Sequence, residues 1–154
     1  MILYLDTSAL VKLYAVEEGR ETVERAVEEA GRIATSAVAY AEARAALARK
    51  LREGAFSEEE HREAVAALDE DWRTLEVLSV TENVARLAGD LAERHALRGF
   101  DAVHLASALL VRAASREQGD GEDVLFLGFD MDLMGAVAEV ISVDEPGEAP
   151  HGGG

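Results

Sequence analysis

Residues 1–10, MILYLDTSAL, place a carboxylate at the end of a short apolar run. Ile2 to Leu5 predict a buried strand, and Asp6 follows it directly. The same arrangement recurs near the end of the chain, where Asp130 follows the apolar run VLFLGF at residues 124–129. An aspartate in this position is either the N-cap of the next helix or a ligand, and one such residue does not distinguish the two.

Short apolar runs recur along the chain and alternate with segments of helical period. Besides the first run, we predict strands at residues 32–35, 75–80, 124–129 and 140–143, with a short helical turn before the last of these. Strands that alternate with helices predict an α/β fold with a small, mainly parallel central sheet covered by helices on both faces. Ligands of such sheets bind at the carboxyl ends of the strands.

Helix-capping residues mark the starts of three predicted helices: Ser36, Ser57 and Thr81. Ser57 and Glu60 have the S-x-x-E spacing of a capping box. Residues 7–31 follow a helical period as far as Gly31. Residues 100–119 are apolar nearly all round, which predicts a buried helix.

Length and composition indicate one globular domain. We assign residues 1–144 to it and predict a flexible tail at residues 145–154, which hold both prolines and four of the 13 glycines. The chain has no cysteine, no stretch long enough to span a membrane and no basic region before its first apolar run. We therefore expect a cytoplasmic protein without disulfides or a signal peptide.

The net charge of −16 opposes nonspecific adhesion to nucleic acid, because phosphate binding depends on Lys and Arg. The basic residues are 13 arginines and two lysines. A nucleic-acid function would therefore need local arginines and bridging cations. A basic protein partner fits the charge more easily.

Four of the 31 acidic residues lie in apolar surroundings: Asp6, Glu42, Asp101 and Asp130. Glu42 has Val38, Ala39, Ala45 and Ala46 as its neighbours one turn away, so that it reads either as a ligand or as the rim of an alanine-rich face. Asp101 begins the most apolar helix, where capping is again an alternative.

A parallel sheet can bring these four carboxylates to one edge, where they would repel one another and raise one another's pKa. A hard divalent cation such as Mg²⁺ or Mn²⁺ would relieve that repulsion through all-oxygen ligation. Such ions lower the pKa of a bound water and hold a phosphate for attack. The chemistry that the pattern favours is metal-dependent hydrolysis of a phosphodiester.

Four stretches of the sequence resemble, in order and spacing, the PIN-domain family, and within it the VapC-type toxins of toxin–antitoxin pairs. They are LYLDTSALVKLY, TSAVAYAEARAAL, LRGFDAVHLASALL and LFLGFDMDLMGAV. The resemblance covers about residues 1 to 143. It implies a three-layer α/β/α fold and an endoribonuclease that depends on Mg²⁺ or Mn²⁺. It also implies a homodimer and inhibition by a small antitoxin protein.

The resemblance also implies roles for individual residues. The acidic quartet of the family falls on Asp6, Glu42, Asp101 and Asp130, which would hold the metal and form the catalytic centre. The hydroxyl beside the first aspartate falls on Ser8, with Thr7 in the same motif, and would orient a carboxylate or a metal-bound water.

One position departs from the family pattern. Gly128 stands where the family usually has Thr or Ser, which removes a supporting hydroxyl and leaves open whether Asp130 or Asp132 is the fourth acid. Arg98, Arg44 and Lys12 lie near the motifs and are candidates for contacting RNA phosphates. His104 reads as a core histidine, although its spacing from Asp101 would also let it face the site.

The main alternative is a PIN-like scaffold that has lost activity and binds a protein partner. The presence of all four acids argues against it. The sequence leaves open which RNA is cleaved, and transfer, ribosomal and messenger RNA all remain candidates.

Overall fold

Strand β1 (Ile2–Leu5) is central in the parallel sheet of this computed structural model, which describes residues 1–142. In that range the sheet has four strands in the order β3–β2–β1–β4. Leu3 is aligned with Ile33 on one side and with Leu125 on the other. The remaining strands are β2 (Arg32–Ser36), β3 (Glu76–Leu78) and β4 (Val124–Leu127).

Helices cover both faces of the sheet, and the alternating side chains of β1 supply both cores. Ile2 and Tyr4 belong to a cluster with the last three helices, whereas Leu3 and Leu5 pack with the first four. The predicted three-layer α/β/α fold is therefore confirmed. The helices are α1 (Thr7–Lys12), α2 (Arg20–Glu29), α3 (Val38–Arg52), α4 (Glu58–Trp72), α5 (Glu82–His95), α6 (Gly99–Glu117) and α7 (Met131–Ser142).

Capping side chains set the helix starts much as the sequence predicts. Ser57 and Glu60 form the reciprocal bonds of a capping box at α4, and the Thr81 hydroxyl accepts from the amide of Val84. Ser36 accepts from the amide of Val38, although the N-cap of α3 is Ala37. The caps thus fix where the chain turns back toward the sheet.

The predicted strand at residues 140–143 is wrong for the residues that the structure describes. Residues 140–142 are the last turn of α7, which begins after Asp130 accepts a hydrogen bond from the amide of Leu133. The apolar positions Leu133, Ala136, Val137 and Val140 have helical spacing and pack on the core. Residue 143 and the tail predicted at 145–154 lie outside the described residues.

Other boundaries also differ from the sequence prediction. Residues 7–31, which follow one helical period in the sequence, form two separate helices. Gly19 is the N-cap of the second helix and has a left-handed backbone conformation at φ +92°. The third and fourth strands end two residues earlier than predicted. In the described part of the chain, no helix combines the length and the hydropathy needed to cross a bilayer.

Gly135→Ala tests whether residues 131–142 are helical. Gly135 lies inside α7 and is exposed, and a Cβ there would meet no atom within 4 Å. Alanine should therefore raise the free energy of unfolding by about 0.5–1 kcal/mol, measured by urea denaturation. Gly19→Ala is the control with the opposite sign, because its φ is positive and its Cβ would lie 2.8 Å from the Phe129 ring. Destabilisation by Gly135→Ala would contradict the helix.

Candidate active site

The four acids singled out in the sequence line one cleft of about 1340 Å³ at the carboxyl edge of the sheet. Asp6 follows β1 and Asp130 follows β4, which is the neighbour of β1 in the sheet. Asp101 comes from the first turn of α6, and Glu42 from the second turn of α3. Four separate elements thus bring four carboxylates to the same space.

Asp6 is buried and is both a helix cap and a wall of the cleft. Only 4% of its surface is exposed. Its Oδ1 accepts the amide of Ala9 at 2.9 Å and the hydroxyl of Ser8 at 2.7 Å. Burial raises the pKa of Asp6 above its ordinary value, although these two hydrogen bonds oppose the rise. The two readings offered by the sequence, cap and ligand, are therefore compatible.

Gly128 gives Asp6 the room that it occupies. A Cβ built at Gly128 would lie 2.8 Å from Cγ of Asp6, which is closer than carbon atoms approach. A serine or threonine at this position would force the carboxylate to move. Ser8 instead links the two segments, because its hydroxyl also accepts the amide of Phe129 at 3.0 Å. The departure from the family pattern thus accompanies a close approach of β4 to Asp6.

Glu42 ends a chain of hydrogen bonds that begins in the core. Its Oε1 contacts Thr7 Oγ1 at 2.6 Å and His104 Nε2 at 3.0 Å, and His104 Nδ1 lies 2.9 Å from the Tyr4 hydroxyl. All of these groups are satisfied when Tyr4 donates to Nδ1 and the Nε2 proton faces Glu42. Partial burial by itself raises the pKa of Glu42, but the bonds from His104 and Thr7 outweigh it and hold the pKa below its usual value.

Asp101 and Asp130 complete the acidic wall in different ways. Partial burial raises the pKa of Asp101, and the negative charges of Asp130 and Asp6 raise it further. Asp101 does not cap its helix, since the N-cap of α6 is Arg98. Asp130 caps α7 through its Oδ1. The repulsion expected from the sequence is therefore present at Asp101.

The donor set of the cleft suits a hard divalent cation. All four acids offer carboxylate oxygens, which are the ligands that Mg²⁺ and Mn²⁺ prefer. Within residues 1–142, no three acidic or histidine side chains are already drawn together tightly enough to hold one ion. The carboxylates line the cleft as separate groups. The pKa of Asp101 is raised first by burial and then by the charges of Asp130 and Asp6, and a cation between them would relieve that repulsion.

The other predicted site residues divide into two groups. The residues that line the cleft are Thr7, Ser8, Lys12 and Arg98. Asp132 is exposed on the first turn of α7 and is not among the residues that line the cleft. Arg44 is also outside that set and donates to the hydroxyl of Tyr40 at 2.8 Å. Arg44 is two residues from Glu42, which turns it to another side of α3.

Several residues of the cleft were missed by the sequence reasoning. Arg49, Lys50 and Arg52 line it near the end of α3, about two turns beyond Glu42. Helical spacing from Glu42 is the signal that could have found Arg49. His104 is 2% exposed, as expected of a core histidine, but its contact with Glu42 also makes it part of the site.

Comparisons with known proteins identify the family to which this fold belongs. Residues 3–117 match the PIN domain, which is more than half of the chain. The chain belongs to the PIN-domain family. The matched region contains β2, β3, all of β1 except Ile2, and three of the four acids.

Individual relatives place this PIN-domain protein near VapC proteins. Ribonuclease VapC49 of Mycobacterium tuberculosis (strain ATCC 25618 / H37Rv) is 40% identical over 110 residues, which cover 71% of this chain and 76% of that protein. The crystal structure of Mycobacterium tuberculosis VapC20 has a TM-score of 0.60 at 22% identity, and covers 87% of this chain and 94% of its own.

A second solved structure has the same fold. VapBC2 of Rickettsia felis, bound to a DNA fragment from their promoter, has a TM-score of 0.52 at 15% identity, and covers 83% of this chain and 100% of its own. At these identities the two structures support the PIN-domain fold of this chain.

Asp101→Asn should change how stability depends on pH in the absence of metal. The folded-state pKa of Asp101 is raised above its ordinary value of 3.8, so its favourable contribution is complete below that value and is lost as pH rises through the folded pKa. The melting temperature of wild type should therefore fall relative to that of the variant as pH increases from 3.8 toward neutrality. Calorimetry in EDTA across this range measures the difference, and parallel curves would contradict the raised pKa.

Tyr4→Phe tests the buried hydrogen-bond chain. The change removes the hydroxyl and leaves Nδ1 of His104 without its partner, which should reduce the free energy of unfolding by about 1–3 kcal/mol. Tyr14→Phe is the matched control, because its hydroxyl bonds to Asp71 at the surface and its loss should have a smaller effect. Chemical denaturation of both variants measures the difference. Equal losses of unfolding free energy in the two variants would show that the buried hydrogen bond stabilises the protein no more than the surface one.

Proposed function

We propose that this PIN-domain protein is a metal-dependent endoribonuclease and the toxin of a toxin–antitoxin pair. The observation that carries the proposal is the convergence of Asp6, Glu42, Asp101 and Asp130 on one cleft at the carboxyl edge of a parallel sheet. Two of these aspartates are also caps, but capping alone does not require that four acids share a cavity. Binding of the cations that assist phosphodiester hydrolysis would account for it.

The names of the relatives support the same activity. The protein that is 40% identical is named a ribonuclease, and the VapC20 structure is described as a toxin that cleaves the sarcin–ricin loop. Neither name identifies the RNA that this chain cleaves. The proposal therefore extends to the class of reaction and leaves the target RNA unspecified.

In this proposal the four carboxylates hold Mg²⁺ or Mn²⁺, which supplies an activated water and neutralises charge on the phosphate. The chain's own residues fix the carboxylates before the substrate arrives. Ser8 and the amide of Ala9 hold one oxygen of Asp6, and Thr7 and His104 hold one oxygen of Glu42. In each carboxylate these hydrogen bonds all go to the same oxygen, so the other oxygen is left for the ion.

Basic residues of the cleft offset the negative charge of the chain where RNA would bind. They are Lys12, Arg49, Lys50, Arg52 and Arg98, which are five of the 15 lysines and arginines. Lys12 and Lys50 both approach Glu17, and Arg49 pairs with Glu53. We propose that these cations contact phosphates away from the cleavage position, so that a protein of net charge −16 can still hold RNA.

The remaining partners also belong to the proposal. The neighbour from Rickettsia felis is named as a VapB–VapC pair, which supports a small antitoxin as the partner of this chain. The acidic cleft suits an arginine-bearing antitoxin segment, because guanidinium groups pair with carboxylates. The homodimer and the cytoplasmic location remain predictions from the resemblance and the composition.

The proposal is tested by adding Mn²⁺ and by neutralising two of the carboxylates. An ion at about 100 times its dissociation constant should add roughly 2.7 kcal/mol to the stability of wild type. The double variant Asp6→Asn/Asp101→Asn should lose both the Mn²⁺-dependent rise in melting temperature and the cleavage of RNA. Asparagine keeps the capping oxygen of Asp6, so the variant should remain folded.

Asp132→Asn is the matched control, since it is an aspartate close to the site that does not line the cleft. It should keep both the Mn²⁺ response and the cleavage. Loss of cleavage in this variant would move the fourth acid from Asp130 to Asp132. A wild-type protein that neither responds to Mn²⁺ nor cleaves a total-RNA extract would instead be the inactive, partner-binding scaffold.

A further inference from the structure

Two exposed phenylalanine rings stand beside the acidic cleft, each directly before one of its aspartates. The triplet Gly-Phe-Asp occurs twice, at residues 99–101 and at residues 128–130. Phe100 is 60% exposed and Phe129 is 39% exposed. Within residues 1–142, neither ring belongs to the two hydrophobic clusters that form the core. The rings therefore need an explanation other than packing.

Phe100 is a wall of the cleft. It lies in the first turn of α6, between Arg98 and Asp101, and all three line the same space. The ring is 60% exposed, so much of its surface is open to solvent. A flat ligand can thus reach the ring without displacing other side chains.

Phe129 is held at the rim by three contacts. Its amide donates to the Ser8 hydroxyl, and the ammonium of Lys12 lies 4.4 Å from the centre of the ring. Gly19 lies against the edge of the ring, where any side chain would overlap it. Lys12 and Asp130, which flank the ring, both line the cleft. The ring is therefore ordered beside a cation and an acid, rather than loose at the surface.

Exposed aromatic rings next to cations are the elements that hold unpaired nucleotides. Every base has a flat face that stacks on an aromatic ring, while lysine and arginine contact the phosphates between the bases. In a duplex the bases are already stacked and paired, and the deep, narrow major groove of A-form RNA keeps side chains from them. A site that uses stacking therefore selects single strands and loops.

We infer that Phe100 and Phe129 are substrate-binding residues that stack on unpaired bases beside the phosphate held at the acidic cleft. The inference rests on the proposed ribonuclease function and adds to it two residues of this chain that hold the substrate. The two rings would hold bases next to the cleaved bond and so bring its phosphate to the carboxylates. An antitoxin segment that covers the rings is the alternative that the experiment must separate.

The test measures binding of fluorescein-labelled oligo(A), oligo(U) and their duplex by fluorescence anisotropy in EDTA, where a metal-dependent nuclease leaves the probes intact. Wild type should bind the single strands more tightly than the duplex. Phe100→Ala and Phe129→Ala should each weaken single-strand binding roughly 5- to 150-fold, the range expected for the loss of one stacked base. Binding of the duplex should change little.

Variants at the same positions separate stacking from apolar contact and from misfolding. Phe100→Trp should keep or strengthen binding, whereas Phe100→Leu should lose it, because leucine is apolar but has no ring face. Phe129→Leu plays the same part at the second ring, and equal melting temperatures would show that it still folds. Val80→Ala changes an exposed apolar residue that does not line the cleft, and its binding should match that of wild type.

The outcomes separate this inference from the proposed function. If wild type cleaves RNA but the phenylalanine variants bind and cleave single strands as well as it does, the stacking role is wrong and the nuclease stands. If the variants lose binding to an antitoxin while their binding to RNA is unchanged, the rings are a protein-docking surface and the inference is overturned. The inference would be established if the alanine variants lose single-strand binding and Phe100→Trp keeps it.

Discussion

The parallel pairing of β1 with β2 on one side and β4 on the other is the constraint on which the rest of the structure depends. It aligns Leu3 with Ile33 and Leu125, so that the segments after β1 and β4 leave the sheet together. Asp6 and Asp130 then line the same cleft although 124 positions separate them in the chain. A shift of one residue in this register would turn the side chains of β1 to the opposite faces and separate both cores from their helices.

The site is a compromise between stability and charge. Burial raises the pKa of both Asp6 and Asp101, and repulsion from neighbouring carboxylates raises that of Asp101 further. The charged form of each is therefore disfavoured in the folded protein when no cation is present. Glu42 differs, because hydrogen bonds from Thr7 and His104 keep its charge favourable. His104 in turn is held by Tyr4 in the core. A buried chain of hydrogen bonds thus fixes the position of Glu42 in the acidic wall.

Much of this arrangement could be predicted from the sequence because its signals are local. An apolar run followed by an aspartate predicted the end of β1 and the presence of β4, and serine and threonine caps marked the helix starts. The contact of His104 with Tyr4 could not be predicted, since it joins residues 100 positions apart. The strand predicted at 140–143 is wrong because a short apolar run fits either structure until packing decides, and residues 140–142 continue the helix α7. The basic residues of α3 were missed because their polar surroundings look like an ordinary solvated surface.

The double use of Asp6 and Asp130 as caps and as walls of the cleft has an evolutionary consequence. Asparagine caps a helix as well as aspartate does, and the codons of the two amino acids differ by one base. A single base change at either position can therefore abolish the negative charge while the helix, the fold and the outer surface persist. An active nuclease and a folded scaffold that still meets its partners are adjacent genotypes, so that silencing of the first needs no reconstruction of the protein.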